Sequence, residues 1–344
     1  MKLIPLKIGS ATLVALFVFS MTTAETKSLS GLLVEVTRGP IVESRHYGRL
    51  VAVTPEGEIV RQVGDPHSLM LSRSALKPLQ ALGTVKLAIE RGEPLSLEEI
   101  AVMCASHRAQ EYHLEAVAAL LERASATTGA LHCGEVRGSR TNHNCSGKHG
   151  GMLVGAHLLD ASPEGYWEID HPVQKMIQQT IREFTDYEEP HPLPWGTDGC
   201  GAPNYATPVY NLALGFARLA NPDRAPESYR EAARAIRDAI LAYPGHVSIN
   251  DSFHARLVEA GNGRIIGKTG AEACYGLGLT TPALGVAIKI EDGNNRGMES
   301  ILLTALDRFG SMTHRIDREL GDQRVTLIEN SRGEAIGQIR AADW

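Results

Sequence analysis

Short β-rich runs lie at both ends of this chain and a long helical stretch lies between them, and that order limits the folds open to it more than any other feature. Residues 32–37, 50–54 and 58–63 are short β-rich runs, and Pro55-Glu56-Gly57 between the last two is a hairpin signal. The opening therefore predicts a β-meander. From Ser74 onward the texture changes: Leu76, Leu79, Gln80 and Val85 follow a helical period, and Ser96 with Glu98 and Glu99 supplies an N-terminus for a helix over 97–103. Residues 114–124, 173–184, 206–219 and 228–242 continue the helical run, with 190–194 as a loop. Strand character returns at 263–266, 283–290, 325–328 and 335–339, with one helix over 297–309. The pattern predicts an α+β fold: a sheet built from residues 32–63 and 263–340, a helical insertion over 74–245, and a site where the two meet.

Composition narrows the partners. The 344 residues are 43% hydrophobic, ample for a real core. A net charge of -6 with no basic run excludes a phosphate-neutralising, nucleic-acid-binding surface, so a small molecule is the expected partner. Thirty-four glycines against six Phe and three Trp fit a turn-rich enzyme with an aliphatic interior.

The first 24 residues have the layout of a secretory signal peptide. Lys2 and Lys7 precede the apolar run 11–21, and Thr22-Thr23-Ala24 supplies small residues before Glu25. Cleavage after Ala24 would leave an exported chain, periplasmic or secreted; an unprocessed N-terminus would leave it cytoplasmic. The run is shorter than the ~20 residues that span a bilayer, and no later segment qualifies, so no membrane partner is expected after leader removal.

Reactive groups concentrate in two places. Asn144-Cys145-Ser146-Gly147-Lys148-His149-Gly150-Gly151 packs a thiol, a hydroxyl, an amine and an imidazole between glycines, and Thr197-Asp198-Gly199-Cys200-Gly201 supplies a second thiol. Such groups on Gly-rich turns make sites. Cysteines 104, 133, 145, 200 and 274 make an odd count, which leaves at least one thiol unpaired. For Cys145 and Cys200, a disulfide and a shared metal are both open.

A third segment, Arg73-Ser74-Ala75-Leu76-Lys77-Pro78, places a hydroxyl and an amine three residues apart, on one face at a helix start. A neutral lysine there takes the serine proton, provided burial or a neighbouring cation lowers its pKa. Lys268-Thr269-Gly270 follows the strand-like run 264–267. Ser-x-x-Lys early and Lys-Thr-Gly late is the arrangement of penicillin-recognising serine hydrolases, but the middle element, Ser106-His107-Arg108, matches Ser-Asp-Asn only in its serine.

Taken together, these motifs resemble the asparaginase II family, the inducible Rhizobium-type L-asparaginases. The markers are Val42-Glu43-Ser44-Arg45-His46, Arg73 to Pro78, Cys104-Ala105-Ser106-His107, Asn144 to His149, Asp198-Gly199-Cys200 and Lys268-Thr269-Gly270-Ala271-Glu272. In this order they are far more specific than any one alone. The resemblance implies a β-lactamase/glutaminase-like antiparallel sheet, a homodimer, and hydrolysis of L-asparagine to L-aspartate and ammonia. It pairs Ser74 with Lys77 and Ser106 with Lys268, gives zinc to Cys145, Lys148 and Cys200, and lines the substrate pocket with Asp198 and His149. Chemistry alone would favour His149 over Lys148 as the nitrogen ligand. Arg73 is the nearest cation in sequence for the substrate α-carboxylate.

Two departures bear on the pocket. Relatives usually follow Ser-His with a glycine and an acid, whereas this chain has Arg108-Ala109-Gln110; and residues 247–254 lack the expected Gly-x-x-Arg. A β-lactamase-like hydrolase and a catalytically silent amino-acid-binding relative are the alternative readings, and asparagine and glutamine differ by one methylene only.

Overall fold

In the computed structural model, residues 29–188 and 190–344 are described; the expected signal peptide lies outside the described residues. The strands are β1 (Gly31–Arg38), β2 (Ile41–Val53), β3 (Ile59–Val63), β4 (Leu69–Leu71), β5 (Trp195–Thr197), β6 (Pro203–Pro208), β7 (Ile265–Gly270), β8 (Cys274–Thr280), β9 (Ala283–Ile290), β10 (Val325–Glu329) and β11 (Ala335–Ala341). The helical middle holds α1 (Lys77–Glu90), α2 (Leu97–Met103), α3 (Glu111–Arg123), α4 (Ser146–Leu158), α5 (Pro172–Thr185), α6 (Val209–Ala220), α7 (Arg230–Ala242), α8 (Pro244–Val247) and α9 (Phe253–Ala260). Helices α10 (Met298–Arg308) and α11 (His314–Leu320) follow β9.

Strands from both termini form one antiparallel sheet in the order β10-β11-β1-β2-β9-β8-β7, so the α+β fold with a helical insertion is as expected. The opening is not a simple meander. β1 pairs with residues 41–48 of β2 and β3 with residues 50–53, so both occupy the same edge of one long strand. The run 41–48 escaped the sequence reading because Glu43, Ser44, Arg45 and Gly48 dilute its apolar content, and pairing rather than burial holds it.

Both faces of the sheet are covered over β7 to β9 and the second half of β2, which explains the nearly unbroken burial of those strands. Val51, Val53 and Ala287 face a core shared with α1 to α7, while Leu50, Ala52, Val286 and Ile288 face a second core with Leu302, Ile316 and Trp344. Each buried Leu, Ile or Val contributes on the order of 1.5–3 kcal/mol.

Two local expectations are corrected. The segment expected as a Gly-rich turn at 144–151 is mostly the first turns of the buried helix α4, with Cys145 just ahead of it. Its glycines allow close packing: a Cβ on Gly147 would stand 2.1 Å from the Val102 carbonyl oxygen, and one on Gly151 2.7 Å from Met103. The predicted helix over 206–219 begins only at Val209, because residues 203–208 form β6. β6 is the centre of a small sheet, β4-β6-β5, in which β4 and β5 run the same way. The chain therefore leaves β4 toward Ser72-Arg73-Ser74 and leaves β5 toward Asp198-Gly199-Cys200 at the same end of that sheet. Among the described residues no helix is long and apolar enough to cross a membrane.

Candidate active site

Five segments meet where the insertion joins the sheet: the 3-10 turn Arg73–Leu76 running into α1, the chain beyond α2, the start of α4, the β5–β6 turn, and β7. Lys77 is fully buried, and its ammonium reaches the Ala105 carbonyl, Ser106 Oγ at 3.3 Å and Cys145 Sγ at 3.3 Å. From the other side Lys268 Nζ reaches Ser106 Oγ at 3.1 Å and the Thr269 carbonyl at 2.6 Å. Lys268 lies within β7 rather than after a strand, at the sheet edge. Ser106 is fixed by its own backbone, its N–H donating to the Val247 carbonyl at 3.0 Å.

Burial, helped by the charge of Lys77, holds the Lys268 amine well below the ordinary lysine range. A neutral amine beside a hydroxyl is a proton acceptor, and Ser106 links it to Lys77. Ser74 is partly exposed, and among the described residues its hydroxyl makes no hydrogen bond. The structure therefore brings Lys77 to Ser106 and leaves Ser74 Oγ uncommitted, one turn from Lys77.

Lys148 lies 3.0 Å from Cys200 Sγ and 3.9 Å from Asp198 Oδ2. Burial alone would lower its amine, but the two thiols and Asp198 outweigh that and raise it. Cys145 and Cys200 shift each other in opposite directions. The hydrogen bond from Cys200, with Lys77 and Lys148 nearby, pushes the Cys145 thiol down, and the same bond pushes Cys200 up. All five cysteines are free thiols. Among the described residues no three His, Cys, Asp or Glu side chains form a metal-holding group, so a metal here requires the Lys148 amine as a third donor beside the sulfurs. Two thiols and one amine converge here, and they match zinc in donor chemistry once the Lys148 ammonium gives up its proton, which metal binding would require.

Asp198 takes Arg73 Nε on Oδ1 at 3.2 Å and the Gly199 N–H at 3.0 Å. Arg73 has φ 50, the left-handed region, and its own N–H donates to Asn204 Oδ1 at 3.1 Å. Backbone held there by tertiary contacts marks sites where geometry matters more than local comfort. His149 is placed differently from the expectation for a pocket wall. It is fully buried, its Nδ1 is 2.6 Å from the Tyr166 hydroxyl, and among the described residues its Nε2 has no partner.

The departures fall around this cluster. Ala109 has φ 54, and Gln110 precedes α3 as an exposed cap residue. Residues 247–254 hold Ser106 from behind through Val247, and His254 is buried against the Tyr275 hydroxyl at 2.8 Å. Sequence reasoning missed Tyr166, His254 and the carbonyls of Ala105 and Val247, none of which carries a local signal. A groove of about 870 Å³ lies elsewhere, along α5 and the following loop beside Arg182, Glu183 and Trp195.

A sheet edge bearing a buried lysine, set against serines and a second lysine from a helical insertion, is the equipment of an amidohydrolase. The sequence matches the family described as L-asparaginase II over residues 34–341, and the chain belongs to that family. Among curated proteins none matches it. In shape it is similar to a β-lactamase from Mycobacterium bovis, at 12% identity and TM-score 0.44, covering 76% of this chain and 94% of that one. It is also similar to a Bacillus glutaminase, at 10% identity and TM-score 0.41, covering 72% and 84%. An octameric penicillin-binding protein homologue from Pyrococcus abyssi matches at 12% identity and TM-score 0.46, covering 80% and 76%.

Proposed function

We propose that this chain hydrolyses L-asparagine to L-aspartate and ammonia through an acyl-enzyme on Ser74. The observation that carries the reading is the hydroxyl of Ser106 set between Lys77 at 3.3 Å and Lys268 at 3.1 Å. The Lys268 amine draws a proton from Lys77 through the Ser106 hydroxyl, and the Lys77 amine so freed takes the Ser74 proton as Oγ attacks the side-chain amide carbon. The C–N bond breaks as the lysine returns a proton to the leaving nitrogen, giving ammonia. Water then cleaves the Ser74 ester, its proton moving through the same lysines, and aspartate leaves. Arg73 takes the α-carboxylate, with Asp198 orienting the guanidinium. Zinc held by Cys145, Lys148 and Cys200 would supply a fixed positive charge that ties α4 to the β5–β6 turn.

Export to the periplasm rests on the leader composition of residues 1–24, and a homodimer on family membership. The test is ammonia release by the purified chain beginning at Glu25, with L-asparagine and L-glutamine in parallel and zinc added. Release from neither substrate by folded protein refutes the proposal.

A further inference from the structure

The turn after β7 carries two consecutive non-glycine residues in the left-handed region, Glu272 at φ 59 and Ala273 at φ 51. The turn is built to hold them. Lys289 Nζ donates to the Glu272 carbonyl at 2.8 Å, and Ile290 N–H donates to that of Ala273 at 3.1 Å. It also lies directly on the segment that bears Ser74. A Cβ on Gly270 would stand 2.9 Å from the Ala75 nitrogen and 3.1 Å from the Ser72 oxygen, and Cys274 Sγ reaches the Leu71 carbonyl at 3.7 Å.

Two carboxylates flank Arg73, and they are not equivalent. Asp198 is 11% exposed and has both oxygens occupied, Oδ1 by Arg73 and Gly199, Oδ2 by Lys148 at 3.9 Å and Cys200 at 4.0 Å. Glu272 is 63% exposed, and among the described residues its one ion pair is a long one, 3.9 Å from Arg73 Nη1. Its other oxygen leans on Gly293, where an added Cβ would meet it at 2.5 Å, so the carboxylate is located without being neutralised. A free amino acid carries its α-ammonium and α-carboxylate on one carbon, and a cation and an unsaturated anion side by side at the Ser74 mouth match that dipole.

We infer that Glu272 receives the α-ammonium of the substrate next to Arg73, making the site selective for amino-acid amides with an unblocked amine. This rests on the asparaginase reading. An ion pair at a carboxylate this exposed is screened by solvent, so its loss lowers kcat/KM roughly 2- to 5-fold. The experiment compares L-asparagine with succinamate, which lacks the amine, for the wild-type chain, Glu272→Gln and Glu272→Asp, with thermal melting to confirm folding. The expected result is preference for asparagine in the wild type, collapse of that preference toward unity in Glu272→Gln through a raised KM, and partial recovery in Glu272→Asp. Equal losses on both substrates would make Glu272 a support for Arg73 and overturn the inference, as would an unchanged ratio. A wild-type chain inactive on asparagine but folded overturns the underlying reading and this one with it.

Discussion

Ser106 Oγ stands between two buried amines, 3.3 Å from Lys77 Nζ and 3.1 Å from Lys268 Nζ, and one hydroxyl can pass only one proton at a time between them. In the proposed reaction it would act as a relay. Ser106→Ala is expected to lower kcat by about 10²- to 10⁴-fold with little change in KM. Steady-state ammonia release measures both, and a KM effect alone would contradict the relay.

Among the described residues the Ser74 hydroxyl makes no hydrogen bond, and its carbonyl keeps the Lys77 N–H whatever the side chain, so its replacement costs little stability. Ser74→Ala is expected to reduce turnover by at least about 10⁴-fold while zinc content and melting temperature stay at wild-type values. Rapid quenching followed by mass spectrometry should find the acyl group on the Ser74 peptide. Retained turnover, or an acyl group on Ser106, would move the nucleophile.

The proposed zinc site would draw its thiols from two separate elements, the residue just ahead of α4 and the β5–β6 turn. Cys200→Ser is expected to reduce bound zinc from about one per chain toward zero. Elemental analysis after dialysis decides it, and full zinc content in the variant would remove Cys200 from the ligand set.

Three buried histidines make stability fall with acid. Burial lowers His107 to about 3, His113 to about 4 and His254 to about 3 from an ordinary 6.5. Below pH 6.5 the unfolded chain takes up protons that the folded chain refuses, so the loss runs from there down to the folded values. Each contributes up to about 1.4 kcal/mol per pH unit in that window. Denaturant unfolding between pH 7 and about pH 5, above most carboxylate titration, should show a falling midpoint, shallower in His254→Gln; a flat profile would contradict the buried neutral imidazoles.

Ala109 holds a left-handed conformation, φ 54, on the exposed turn into α3. Ala109→Gly relieves a strain of about 1 kcal/mol or more against a smaller gain in unfolded-chain entropy. A net stabilisation of about 0.5–1 kcal/mol is expected by urea unfolding, with catalysis unchanged. Destabilisation would show that Ala109 packs more than its backbone suggests.

Much of the frame was legible because it is local. Residues 283–290 read as a strand and are β9 to the residue, and residues 97–103 read as a helix and are α2, capped by the Ser96 hydroxyl and the Glu99 carboxylate. Ser74 and Lys77, and Cys145 and Lys148, stand out through their spacing alone. The sequence by itself determined which reactive groups the chain owns and the order of strands and helices. Only the tertiary structure decided which groups meet: Lys77 turns to Ser106, 29 residues away, Lys268 arrives at the same hydroxyl from 162 residues on, and Glu272 comes to rest beside Arg73. The reason is physical. A helix or strand is specified by neighbours along the chain, whereas the direction of a buried side chain is set by packing and by the need of each buried polar atom for a partner, and those partners are brought in by the sheet.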